Sequence, residues 1–178
     1  MRTELYWIEG PWPGRLAIAP RPRGGDWLED EIASWHSVGI DAVVSALTRE
    51  ENEELDLIQE KKQCEKTGIE FMAFPIEDRG VPPSARACQP LVRHLERRLM
   101  EGKQIVVHCR QGVGRAALLA ACVLALSGLD PSSAFERIET ARGCSVPDTS
   151  EQREWVARFA KEKLTSPPQS GGTRSRTR

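Results

Sequence analysis

The chain has 178 residues, a formal net charge of −1, and 39% hydrophobic against 29% charged residues. That length supports one domain with a sizeable core and leaves little for a second. The near-neutral balance argues against a molecule that binds polyanions over its whole surface. Five cysteines, at positions 64, 88, 109, 122 and 144, include no Cys-x-x-Cys pair, and the three histidines are scattered. A structural zinc site is therefore not expected, and free thiols fit a reducing cytoplasm. The N-terminal stretch lacks a basic start followed by an apolar run, and the most apolar segment, Ala116 to Leu126, is too short to span a bilayer.

Taken in chain order, Glu4–Glu9 and Leu16–Ala19 read as short strands joined by a Gly-Pro-Trp-Pro-Gly turn. Asp26 is placed to cap a helix to about Val38, with Trp27, Leu28, Ile32 and Trp35 at helical spacing. Asp41–Leu47 is a buried strand. Thr48 with Glu51 forms a capping box for one charged helix reaching about Lys66, which Gly68 ends. Ile69–Ile76 is the next strand, and the loop EDRGVPP leads to a helix from Ser84 to about Glu101. Gln104–His108 is a strand, followed by a glycine-spaced loop and an apolar helix that Gly128 stops. Pro131 opens a helix to about Ala141, and a last helix starts near Asp148–Thr149. From about Thr165 the chain is Pro/Gly/Ser-rich with arginines and no acid, and reads as a disordered basic tail over 165–178. Strands alternating with helices predict an α/β fold, with a central, mostly parallel sheet covered by helices on both faces. Ligands of such sheets bind beyond the carboxyl ends of the strands.

His108 and Cys109 sit at such an end, in the run IVVHCRQGVGRAALLA. Gly112 and Gly114 free the loop to curl its amides inward as a nest for an anion. The helix behind adds its positive end, and Arg115 offers a planar fork for two phosphate oxygens. Surroundings of this kind bring a cysteine pKa from about 8.5 to roughly 3.5–7.5, making the thiolate a nucleophile at neutral pH. The Cys-x5-Arg spacing is weak alone; the strand before it, the two glycines within it and the helix after it make it a phosphate-binding loop of Arg110, Gln111, Gly112, Val113, Gly114 and Arg115. Val113 and Ala117 also read as packing, and Cys122 as core.

HCRQGVGR resembles the signature loop of the protein tyrosine phosphatase superfamily, most closely its small dual-specificity branch. The likeness extends over RPRGGDWLEDEIASWHSVGIDAVVSALTREE, GIEFMAFPIEDRGVP and VPDTSEQREWV, which puts a catalytic domain at about residues 1–164. The resemblance implies a two-step, metal-independent hydrolysis of phosphate monoesters. Cys109 takes the phosphoryl group, a carboxylic acid protonates the leaving oxygen, and water then hydrolyses the phosphocysteine. FPIEDRGVPP resembles the family's general-acid loop. Asp78 matches the aspartate, with Glu77 as the substitute one register away, and such an acid is worth about 10²–10⁴-fold. Gln152 has two readings, a capping box with Thr149 or the glutamine that positions hydrolytic water in some members. His108 is expected to point away from the loop and to order it through hydrogen bonds.

One position departs from the family pattern. Where it usually has Ser or Thr after the arginine, this chain has Ala116. Loss of a hydrogen bond to a charged sulfur, worth about 1.5–3 kcal/mol, should slow phosphate release from Cys109 by on the order of 10–100-fold. The loop carries no lysine, which favours phosphotyrosine and phosphoserine or phosphothreonine in proteins over inositol lipids. The expected protein is a cytoplasmic monomer acting on a phosphoprotein or another phosphate monoester. No cofactor, metal, nucleic-acid or membrane partner is expected. Two alternatives stay open: a nearly inactive phospho-ligand-binding module, and a sulfurtransferase, which would need no acid at Asp78.

Overall fold

The computed structural model describes residues 3–165. The tail expected beyond Thr165 lies outside them. Five strands form one sheet in the order β1-β2-β5-β3-β4. They are β1 (Tyr6–Ile8), β2 (Arg15–Pro20), β3 (Ala42–Ser45), β4 (Glu70–Ala73) and β5 (Gln104–Cys109). Only β1, at the edge, runs antiparallel, pairing with β2; β2, β5, β3 and β4 are parallel neighbours. This is the mostly parallel sheet expected from the alternating pattern.

The helices divide over its two faces. α1 (Leu28–Ser37) and α3 (Glu60–Thr67) cover one, where Leu28, Ile32, Trp35 and Cys64 pack on Ala17, Val43 and Val106. α4 (Ala85–Met100), α5 (Arg115–Leu126), α6 (Pro131–Arg142) and α7 (Ser150–Thr165) cover the other. Every residue of α5 is buried, because α4, α6 and α7 all pack against it. That explains its unbroken Ala/Leu sequence: a helix enclosed on all sides has no polar face to present. Strand alternation assigns the ends of β5. Val107 and Cys109 face the α5 side, whereas Val106 and His108 face α1 and α3.

Three local expectations need correction. Asp26 is not a helix cap: it lies inside a 3₁₀ turn, Gly25–Trp27, that leads into α1, and no side chain caps either start. β3 and β4 are shorter than the apolar runs that signal them. The charged helix from Thr48 to about Lys66 is two helices, α2 (Arg49–Glu54) and α3, split at Leu55–Gln59. Asp56 there takes a left-handed φ of 55°, and its carbonyl accepts from Gly25 N–H at 3.0 Å. The split follows from burial. Glu51, Leu57 and Glu60 are all buried, yet residues nine apart, as Glu51 and Glu60 are, lie about 180° apart on a continuous helix. The break lets both acids face inward.

Candidate active site

The loop between β5 and α5 lies over the carboxyl ends of β2, β5 and β3. Pro20 is the register partner of Cys109, and Ser45 that of His108. Gly112 adopts φ +67°, and a Cβ there would lie 2.4 Å from the Ala19 carbonyl carbon, so glycine is required on both counts. This conformation brings the Gly112 N–H to 3.3 Å from the Cys109 Sγ, to which it donates. Cys109 is 3% exposed, at the bottom of a cavity of about 110 Å³.

Asp78, Cys109, Arg110, Gln111, Gly114 and Arg115 line that cavity, joined by Arg79 and Asp148. Gly112 and Val113 lie behind it, Gly112 against the end of β2 and Val113 partly buried on the core. Glu77 is exposed and does not line the cavity. A larger cleft of about 570 Å³, along Glu9, Arg137 and Thr140, offers neither a thiol nor a paired acid.

Arg115 organises the site. Its guanidinium is 2% exposed and donates to Glu51 through two parallel bonds, Nη1 to Oε2 at 2.6 Å and Nη2 to Oε1 at 2.9 Å. Nη1 also donates to the Ile76 carbonyl at 2.9 Å, and Nη2 to Asp78 Oδ1 at 3.1 Å. One arginine thus joins the loop of β5, the cap of α2 and the acid-bearing loop after β4. Burial acts to raise the Glu51 pKa, but bonds from Arg115, the Thr48 N–H and Arg110 outweigh it and hold the carboxyl at about 2. The Arg115 pKa, which burial alone would lower, is raised by Glu51, Cys109 and Asp78. Arg110, on the cavity wall, reaches toward α2, donating to Glu51 at 3.2 Å and to both oxygens of Glu54.

Among the supporting residues, Arg142 and the clamp that Glu51 places on Arg115 had no signal in the sequence. Glu51 does form the capping box with Thr48, but it also clamps Arg115 and Arg110. Arg142, at the end of α6, donates from Nε to the Gly112 carbonyl at 3.2 Å and from Nη2 to the Gln111 carbonyl at 3.3 Å. It holds the outer face of the loop. His108 points away from the cavity, its Nε2 2.7 Å from Glu60 Oε1, with both side chains at most 1% exposed. Gln152 completes the capping box with Thr149 and donates to the Gly80 carbonyl at 2.9 Å. Its amide therefore anchors the acid-bearing loop from behind.

A family model described as "Swiss Army Knife protein, DSP-PTPase phosphatase domain" matches residues 4–164. Human cyclin-dependent kinase inhibitor 3 is 31% identical over 125 residues, 69% of this chain and 55% of that protein. Human protein tyrosine phosphatase type IVA 3 is 30% identical over 89 residues, covering 49% of this chain and 51% of that one. The matches thus span about half the length of these relatives. The crystal structure of kinase associated phosphatase, with its catalytic-site cysteine replaced by serine, superposes with a TM-score of 0.85. It covers 94% of this chain and 99% of that one at 20% identity, a likeness of fold. Tk-PTP in its active form gives 0.69 at 26% identity, covering 88% and 96%. With its mostly parallel sheet, its Cys-x5-Arg loop and a family model matched over nearly its whole length, this chain belongs to the dual-specificity phosphatase branch of the protein tyrosine phosphatases.

Proposed function

We propose that this protein hydrolyses phosphate monoesters, phosphotyrosine and phosphoserine or phosphothreonine of proteins, through a phosphocysteine intermediate and without a metal. One observation carries the reading: the Cys109 thiol, the Arg115 guanidinium and the Asp78 carboxyl line a single small cavity, the latter two 3.1 Å apart.

In the first half-reaction the Cys109 sulfur attacks phosphorus and the bond to the ester oxygen breaks. Asp78 gives its proton to that oxygen. Arg115, held in plane by Glu51, presents its positive charge to the transferring phosphoryl group. The loop Arg110 to Arg115 supplies backbone N–H groups to the phosphate oxygens, among them the Gly112 N–H beside the sulfur. Water then cleaves the phosphocysteine, slowly because Ala116 offers the sulfur no hydroxyl. The cavity's small size admits the phosphate head and leaves the rest of the substrate outside, which suits phosphorylated side chains of either kind.

Hydrolysis of p-nitrophenyl phosphate by the wild type, Cys109→Ser and Asp78→Asn tests this. Loss of turnover in Cys109→Ser, a drop of about 10²-fold or more in Asp78→Asn, inhibition by orthovanadate and indifference to EDTA are expected. Equal rates in all three proteins would remove the phosphatase reading. A phosphopeptide panel with an Asp78→Ala trapping variant then ranks the substrates.

A further inference from the structure

Three arginines stand on the wall of the Cys109 cavity, and two of them are committed. Arg115 is held by Glu51 and Asp78, and Arg110 by Glu51 and Glu54. Arg79 is exposed and has no hydrogen bond or ion pair among the described residues. Its backbone is unusual. Arg79 is the third residue of a turn that the Gly80 N–H closes by donating to the Glu77 carbonyl at 2.8 Å, and its φ is +59°. That position favours glycine or asparagine, and an arginine adopts it only at a conformational cost. The turn is also anchored from two sides. Asp78 pairs with Arg115 at 3.1 Å, and Gln152 donates to the Gly80 carbonyl at 2.9 Å. A free guanidinium is thus presented at the mouth of the cavity from a fixed base.

We propose that Arg79 selects substrates with an acidic side chain close to the phosphorylated residue, an inference that rests on the phosphatase reading above. The cavity of about 110 Å³ admits the phosphate head, so the neighbouring residues of the substrate lie outside it, at the level of this exposed side chain. Successive residues of an extended peptide stand about 3.3–3.6 Å apart, which puts the first or second neighbour within reach of an arginine side chain. The planar guanidinium takes a carboxylate through two parallel bonds. The rest of the mouth does not favour a second negative group, because Asp148 lines it with no counter-charge among the described residues. An acid is therefore read on one flank of the phosphorylated residue, the flank that passes Arg79. Its attraction to the guanidinium aids capture of the substrate without touching the reacting atoms.

Phosphotyrosyl peptides carrying Glu, Ala or Lys at each position from two before to two after the phosphotyrosine test this, with kcat/KM read from released phosphate. The wild type should prefer Glu to Ala by about fivefold on a single flank, with the preference shrinking as salt is raised. In Arg79→Gln the Glu-to-Ala ratio there should fall to about one, and in Arg79→Glu the preference should pass to Lys. These ratios compare substrates on one protein, so a general loss of activity does not move them. A wild type that hydrolyses p-nitrophenyl phosphate but shows no preference confined to one flank overturns the role of Arg79 and leaves the phosphatase reading standing. So does a preference that both variants retain. If the wild type hydrolyses neither the peptides nor p-nitrophenyl phosphate, both readings fall together.

Discussion

Arg115 and Glu51, sixty-four positions apart in the chain, form a buried pair through two parallel hydrogen bonds of 2.6 and 2.9 Å. Glu51 simultaneously accepts from the Thr48 N–H at 3.0 Å and from Arg110 at 3.2 Å. A single carboxylate thus closes a helix start and fixes the guanidinium in the cavity that Cys109 also lines. Glu51→Gln keeps an oxygen for the Thr48 N–H but leaves the buried Arg115 with the exposed Asp78 as its remaining counter-charge. Breaking a buried pair costs about 3–5 kcal/mol when no counter-charge is left, and Asp78 lowers that here to about 2–3 kcal/mol. Urea denaturation at pH 7 should show a loss of that order, and orthovanadate should bind more weakly because Arg115 no longer holds its plane.

The same pair sets a pH dependence. The folded-state pKa of Glu51 lies at about 2 against an ordinary 4.5. A depressed carboxylate pKa gives stability that is complete above the unfolded value and lost as pH falls through the folded one. The stabilisation, about 3 kcal/mol at neutral pH, should therefore disappear between pH 4.5 and 2. Denaturation midpoints taken across that window should fall more steeply for the wild type than for Glu51→Gln, and parallel curves would refute the assignment.

What the sequence revealed of this site follows from the range of each interaction. The Cys109 to Arg115 loop is local: strand, two glycines and helix stand in one short run, so its position was readable without any partner. Asp78 is reached only through resemblance of its loop; its 3.1 Å contact with Arg115 joins two elements distant in the chain. Glu51 was read only as a cap, because capping is a contact between positions three apart, whereas the clamp on Arg115 depends on how two distant elements pack. The split of α2 from α3 was hidden for a related reason. No glycine or proline marks Leu55–Gln59, and the turn exists because both Glu51 and Glu60 must face inward. The bonds from Arg142 to the loop carbonyls span thirty positions and have no pattern in the chain.

Ala116 is fully buried in the first turn of α5, next to Arg115. Serine there would offer the departing sulfur the hydroxyl it lacks, a bond to a charged group worth about 1.5–3 kcal/mol. Ala116→Ser should speed decay of the phosphoenzyme by on the order of 10–100-fold while changing its formation little, as measured by single-turnover quench. A serine variant no faster in that step would show that the missing hydroxyl does not limit this protein.

Arg142 holds the loop from outside, bonding the Gln111 and Gly112 carbonyls and stacking on Tyr6 with its guanidinium carbon 4.1 Å from the ring centroid. With those carbonyls tied outward, the loop amides are free to face the anion. Arg142→Ala removes both bonds at a half-buried position, where water can replace them in part. Orthovanadate should therefore bind about tenfold more weakly, or about 1.4 kcal/mol, with little change in melting temperature.

Gly112 gives the strictest test of the loop. Its φ of +67° is disfavoured for any other residue, and a Cβ would meet the backbone of Ala19 at 2.4 Å, where no flexible side chain can yield. Alanine must displace the loop, withdrawing the Gly112 N–H that now lies 3.3 Å from the sulfur. The sheet register beneath, with Pro20 opposite Cys109, belongs to β2 and β5 and does not depend on that glycine. Gly112→Ala should therefore fold, with unaltered far-ultraviolet circular dichroism, yet lose orthovanadate binding and slow the reaction of Cys109 with iodoacetate at neutral pH. Retention of both properties would mean that neither anion binding nor the reactivity of Cys109 depends on the loop's curl.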